Sequence, residues 1–194
     1  MKLILASASP RRLDLLNKAG VHPEVKPTDC DETITEKLTP RETTETLARR
    51  KAKAAAEAIG DPGAYVLAAD TVVAAADGEI LGKPKDDADA RRMLRKLSGT
   101  RHFVLTGVCA IHGGETVSAV DETEVVFRPL TDAEVDAYVA SGESRGKAGG
   151  YAIQETGDAF VLRIEGAWDN VVGLPVALAD RLLGQLGAPL SEFE

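Results

Sequence analysis

Residues 3–12, LILASASPRR, pass in one step from an apolar strand pattern to the start of a helix, and that switch recurs along the whole chain. Both kinds of element must then share a core, which constrains the fold more than any other feature. Residues 2–6 read as a short buried strand. Pro10 suits the first turn of a helix with Ser9 as its N-cap. Leu13, Leu15, Leu16 and Ala19 give that helix an apolar face, and Gly20 stops it. A second, Ala-rich helix is predicted over 40–59, after Thr39-Pro40 and before Gly60-Asp61-Pro62-Gly63.

The stretch AYVLAADTVVAAADGEILGKP (64–84) carries strand-like runs on both sides of Asp70-Thr71, with a hairpin turn at Asp77-Gly78. Helical spacing returns over 86–97 through Ala88, Met93, Leu94 and Leu97. Two long strands flank Gly113-Gly114, and Thr131-Asp132 open a short helix over 131–140. The Gly-rich segment 145–173 is expected to hold embedded strands, and a helix over 175–186 follows. The resulting order, approximately β-α-β-α-β-β-α-β-β-α-β-α, predicts an α/β fold with a mixed, twisted central sheet and flanking helices. No G-x-G-x-x-G follows the first strand, so a regular dinucleotide-binding fold is not indicated.

With 194 residues and 44% hydrophobic content, the chain suits one domain over 1–194, with two lobes on a common sheet as a variant. A formal net charge of −8 disfavours generic nucleic-acid binding, and 4% aromatic content disfavours base-stacking platforms. No secretory leader and no apolar run of membrane-spanning length is read, so the expected setting is the cytoplasm without membrane contact. Cys30 and Cys109 are too few for a disulfide framework and read as core residues. His22, His102 and His112 lack metal-ligand spacing. Trp168 and Phe160 read as core or pocket wall.

Several residues admit a chemical reading beside a plain one. A strand feeding a Pro-started helix aims free backbone N–H groups at its C-terminal edge, a geometry that accepts anions. Ser7 and Ser9 add donors, and Arg11 and Arg12 add cationic forks suited to phosphate. The plain alternative is a capped helix with solvated arginines. Asp70 is a carboxylate inside an apolar strand, so it needs an ion pair, a metal, or a solvent-reached catalytic site. Thr71 faces the other side of a regular strand unless a bend intervenes. Lys51 in LARRKA, Lys83 between Gly82 and Pro84, and Glu32 in a polar loop are either site residues or solvated charges. Lys147 in GKAGGY lies in a loop where backbone amides can approach an anion. Gln154, read as the end of an apolar strand, either reads a base edge or satisfies backbone groups.

Taken together, LASASPRRLDLL (5–16), LARRKA (47–52), AADTVV (68–73), LGKP (81–84), MLRKLSG (93–99), ETEVVFRPLTDAEVDAYVASGE (122–143), GKAGGYAIQ (146–154) and NVVGLP (170–175) resemble the Maf family of nucleoside triphosphate pyrophosphatases. KAGGYAIQ resembles the branch acting on dTTP and UTP rather than the one acting on 7-methyl-GTP. The resemblance implies a mixed sheet with a cleft between two lobes, as in ITPase-like proteins, often in a homodimer. It implies hydrolysis of a triphosphate, modified pyrimidine nucleotides included, to monophosphate and pyrophosphate with Mg²⁺ or Mn²⁺. Asp70 matches the family's proton acceptor, and Arg11, Thr71 and Gln154 match its specificity positions. Lys51, Lys83, Glu32 and Lys147 fall in matching motifs. The chain departs from the family pattern with Glu155 for a glycine, Ser144 for a proline and Trp168 for a tyrosine.

On the chemistry alone, Ser7, Ser9, Arg11, Arg12, Lys51, Lys83 and Lys147 suit a polyphosphate, and Glu32 with Asp70 suits a divalent cation. A pure binding module, for example a nucleotide-binding regulator of cell division without turnover, uses the same cations. It gains little from a carboxylate such as Asp70 beside a polyanion.

Overall fold

The computed structural model describes residues 1–193. Its strands are β1 (Leu3–Leu5), β2 (Glu24–Val25), β3 (Tyr65–Ala75), β4 (Ile80–Leu81), β5 (Arg101–His112), β6 (Glu115–Phe127) and β7 (Val161–Glu165). Its α-helices are α1 (Pro10–Lys18), α2 (Pro40–Ile59), α3 (Asp87–Leu97), α4 (Asp132–Ala140), α5 (Trp168–Val172) and α6 (Val176–Gln185). The strands form one sheet in the order β2-β1-β3-β5-β6-β7, with β4 paired to β3. β1 runs parallel to β2 and to β3, whereas β3–β4 and β6–β7 are antiparallel. The expected mixed α/β sheet is therefore observed.

Local chemistry explains most boundaries. Thr39 and Glu42 close a reciprocal capping box at α2, and Gly60 ends that helix with φ +64°. Thr131 and Glu134 do the same at α4, and the Asp86 carboxylate accepts from the Asp89 N–H at α3. Gly113 and Gly114, at φ +58° and +85°, make the two-residue turn between β5 and β6.

Contacts divide the chain into two compact units. The first comprises Met1–Asp70, Thr106–Asp121 and the stretch from Gly173 onward. Its packing centres on a stripe of small residues: Ala48, Ala52 and Ala55 of α2 lie against Ala6, Val66, Ala68 and Cys109. Small side chains let the helix approach the strands closely. At Gly107 the approach is so tight that a Cβ would fall 2.5 Å from the Thr44 carbonyl oxygen.

The second unit comprises Thr71–Leu105 and Glu122–Val172. Here α3 buries Ala90, Met93, Leu94 and Leu97. An aromatic cluster joins Phe127, Tyr138, Tyr151 and Phe160 through edge-on contacts, with ring centroids 4.8–5.9 Å apart. His102 is fully buried within it and shares a 2.7 Å hydrogen bond between its Nε2 and Tyr151 Oη.

Four expectations need correction. The segment 145–173 holds one strand, β7, and otherwise short 3₁₀ turns (Ala148–Gly150, Thr156–Phe160) and α5. Glycines at positive φ (Gly146, Gly149, Gly150, Gly166) curl the backbone where an extended path was expected. Trp168 is 44% exposed and so is not a core residue. Cys30 is half-buried on a segment without regular structure, whereas Cys109 is core. Ser9 occupies the N-cap of α1, but its hydroxyl makes no capping bond. Among the described residues, no helix is long and apolar enough to cross a membrane.

Candidate active site

Asp70 lies in β3 between Ala69 and Thr71, and is 7% exposed. An ionised carboxylate so placed must find partners. α2 supplies them from positions seven residues apart, two helical turns that share one face. Lys51 Nζ lies 2.6 Å from Asp70 Oδ1. The Thr44 hydroxyl donates to the Asp70 carbonyl and lies 3.5 Å from its Oδ2, while accepting the Gly107 N–H at 3.1 Å. One buried threonine thus ties α2, β3 and β5 together beneath the carboxylate.

Glu32 comes from the segment 26–39, which contains no helix or strand. Its Oε2 lies 3.4 Å from the same Lys51 ammonium, so both carboxylates converge on one cation. Burial, and then the neighbouring Glu32, push the Cys30 thiol up from its ordinary range. Arg50 donates from Nη1 to the Asp31 carbonyl at 3.2 Å and to the Thr33 carbonyl at 2.7 Å.

The turn after β1 is knitted together from within. Ser7 Oγ, in a buried residue, accepts from the Ser9 N–H at 3.2 Å and from Arg12 Nη1 at 3.3 Å. Arg12 Nε also donates to the Gly173 carbonyl at 2.7 Å. Burial lowers the Arg12 pKa; the Asp70 charge opposes that shift and Arg11 reinforces it. Arg12 is therefore a buried strut as much as a phosphate fork. Arg11 is half-buried and has no hydrogen-bond or ion-pair partner among the described residues.

The remaining predicted residues belong to the second unit. Thr71 follows Asp70 in β3 and is half-buried. Lys83 is exposed between β4 and α3. The Gly149 N–H donates to the Gly82 carbonyl, so the two Gly-rich turns of this unit meet beside Lys83. Lys147 Nζ lies 3.1 Å from Glu155 Oε2, so the departure at 155 already pairs with a lysine of the motif. Gln154 is exposed on a turn rather than at the end of a strand. The chain entering its turn is anchored by the Tyr151 bond to His102 and by the Ala152 N–H, which donates to Tyr138 Oη at 3.0 Å. Gly157 is obligatory there, because a Cβ would meet the Ala152 carbonyl at 2.4 Å.

The structure thus brings Asp70, Lys51 and Glu32 together, and Ser7, Ser9 and Arg12 into one network. Thr44, Gly107 and Arg50 were not singled out by the sequence. Their partners lie 17 to 63 positions away, and no local spacing rule connects them.

A paired, nearly buried strand carboxylate next to a Ser- and Arg-bearing helix entrance defines the class: an α/β protein with a mixed-charge site suited to an anionic ligand. A family model described as Maf-like protein matches residues 2–186, and the chain belongs to that family. It is 51% identical over 193 residues to a dTTP/UTP pyrophosphatase of Anaeromyxobacter dehalogenans (strain 2CP-C), covering 97% of this chain and 96% of that one. It is 52% identical over 193 residues to a dTTP/UTP pyrophosphatase of Salinibacter ruber (strain DSM 13855 / M31), covering 98% and 93%. A solved structure, the Ham1 protein of Staphylococcus aureus, aligns over 66% of this chain and 72% of its own, with 19% identity and a TM-score of 0.47.

Proposed function

We propose that this protein hydrolyses dTTP and UTP to the monophosphate and pyrophosphate, with Asp70 accepting the proton of the attacking water. The observation that carries the reading is Asp70 itself, held at 2.6 Å from Lys51 within a chain about half identical to curated dTTP/UTP pyrophosphatases. A purely structural ion pair needs no second carboxylate, yet Glu32 reaches the same ammonium.

Among the described residues no group of three or more His, Cys, Asp or Glu side chains forms a metal cage. Two carboxylates facing one point nevertheless fit Mg²⁺ or Mn²⁺, which takes its other ligands from water and phosphate. Glu32 and Asp70 would hold that cation, which supplies charge neutralisation and an acidified water when bound. Arg11, with no side-chain partner among the described residues, is the group best placed to pair with phosphate oxygens. Arg12 and Ser7 hold the turn after β1 in shape and keep the first N–H groups of α1 available to an anion. Lys51 neutralises Asp70 before substrate arrives and can pair with phosphate afterwards. A carboxylate is a weak base near neutrality, so proton transfer supplies about 10²–10⁴ in rate and electrostatics the remainder. Thr71, Lys83, Lys147 and Gln154 are assigned by position to phosphate and base recognition.

The test is a panel of natural and modified triphosphates assayed for pyrophosphate, beside Asp70→Asn with its melting curve. dTTP and UTP are expected to lead the panel, and Asp70→Asn to stay folded without turnover. Retained turnover in Asp70→Asn rejects the base assignment, and a panel led by 7-methyl-GTP rejects the substrate.

A further inference from the structure

We infer that Arg50 is a positioning residue that acts through Glu32. The inference rests on the reading of Glu32 as part of the pyrophosphatase site. Glu32 sits in the segment 26–39, without helix or strand to hold it, and its side chain is 56% exposed. A carboxylate on such a segment samples many positions unless its backbone is fixed. The ends of the segment are secured: the Lys26 N–H donates to the Leu5 carbonyl, and Thr39 enters the capping box of α2. Near its middle the backbone is gripped by Arg50. A single guanidinium nitrogen donates to the carbonyls of Asp31 and Thr33, the residues on either side of Glu32. The Thr33 N–H closes back onto Asp31 Oδ1 at 2.8 Å, a local bond that adds to the two from Arg50.

Arg50 and Lys51 are consecutive on α2 and so project about 100° apart. Arg50 takes the backbone around Glu32, while Lys51 takes its carboxylate and that of Asp70. Two neighbouring residues of one rigid helix thereby fix where Glu32 stands relative to Asp70. The two N–H bonds of that one nitrogen are held in the guanidinium plane, so their directions are fixed, whereas those of an ammonium in its place rotate.

The experiment uses the full chain. Arg50→Met, Arg50→Lys, Glu32→Gln and the double variant Arg50→Met/Glu32→Gln are assayed for kcat/KM with dTTP, and hydrogen exchange is followed in wild type and Arg50→Met. Arg50→Met is expected to lose about tenfold or more in kcat/KM, Arg50→Lys less, and the double variant to match Glu32→Gln within about threefold. Amides around 31–34 are expected to exchange faster in Arg50→Met while those of α2 do not. Losses that multiply in the double variant, or unchanged exchange at 31–34, overturn the assignment. A wild type that hydrolyses no triphosphate sinks the functional reading instead, and the exchange measurement still decides the clamp by itself.

Discussion

Removing the ammonium that Asp70 and Glu32 share is the most direct perturbation of the site. Lys51→Met keeps the length and apolar stem of the side chain and deletes only its charge. The Asp70 and Lys51 side chains are 10% and 19% exposed, so water screens their pair only partly. Breaking a fully buried pair typically costs about 3–5 kcal/mol. The cost here is smaller, because the Thr44 hydroxyl lies 3.5 Å from Oδ2 and the charge of Arg12 acts on Asp70. We take about 2 kcal/mol as the expected loss. For a chain of 194 residues that corresponds to a fall of about 4–8 °C in Tm. Reversible thermal unfolding by circular dichroism measures it, at low and at high salt, and the partly buried pair should respond little to salt. Lys51→Met/Asp70→Asn should recover much of the loss, because the uncompensated charge is then gone. An unchanged Tm in Lys51→Met, or a double variant as unstable as the two losses added, would refute the claim that the ammonium neutralises Asp70.

Gly107→Ala should unfold or fail to accumulate, since its Cβ would meet the Thr44 carbonyl at 2.5 Å; soluble yield and a melting curve decide this. Thr44→Val should cost about 1–3 kcal/mol by leaving the Gly107 N–H and the Asp70 carbonyl without their partner, read from urea unfolding. Burial lowers the His102 pKa to about 4, so His102 contributes stability above its ordinary value of 6.5 that is lost as pH falls through about 4. That loss is about 3 kcal/mol between pH 7 and pH 4, and His102→Gln should flatten the dependence measured by urea titration. Arg11→Ala should raise the KM for dTTP several-fold with little change in Tm; an unchanged KM places Arg11 away from the phosphates.

What the sequence made legible follows from the range of the interactions. α2, α3 and α4 are announced by cap residues within three positions of their starts, and the turns of β3–β4 and β5–β6 by Asp-Gly and Gly-Gly pairs. Asp70 stood out because charge inside an apolar run is costly wherever the chain folds. Nothing local revealed that Thr44 would lie beneath it, because only the Ala stripe of α2 packing against β-strands brings that hydroxyl to β3. Between 145 and 173 the prediction of embedded strands failed for a related reason. β7 forms where it can pair with Val125, Val126 and Phe127, and the preceding glycines take left-handed turns that no pairing opposes. Gln154 was expected to end a strand on the strength of apolar residues before it. Those residues are buried, but in a turn closed by Tyr138 and His102.

The electrostatics of the first unit reconcile an acidic chain with a polyanionic substrate. The net charge of −8 repels a triphosphate at long range, but at physiological ionic strength charges beyond about 8 Å are largely screened. On the proposed reading, what the substrate would meet is the local balance: Arg11, Arg12 and Lys51 against Glu32 and Asp70. Arg12 is committed to Ser7 and Gly173, and Lys51 to the two carboxylates. Arg11, with no side-chain partner among the described residues, is on the proposed reading the cation of this set that a phosphate would engage first. Lys51 becomes available only as something else takes over the neutralisation of Asp70 and Glu32. On the proposed reading, Glu32 and Asp70 would hold a divalent cation, whose charge would take over that neutralisation and leave Lys51 free to pair with phosphate. Substrate and cation should therefore bind with mutual reinforcement, since either alone leaves one set of charges uncompensated.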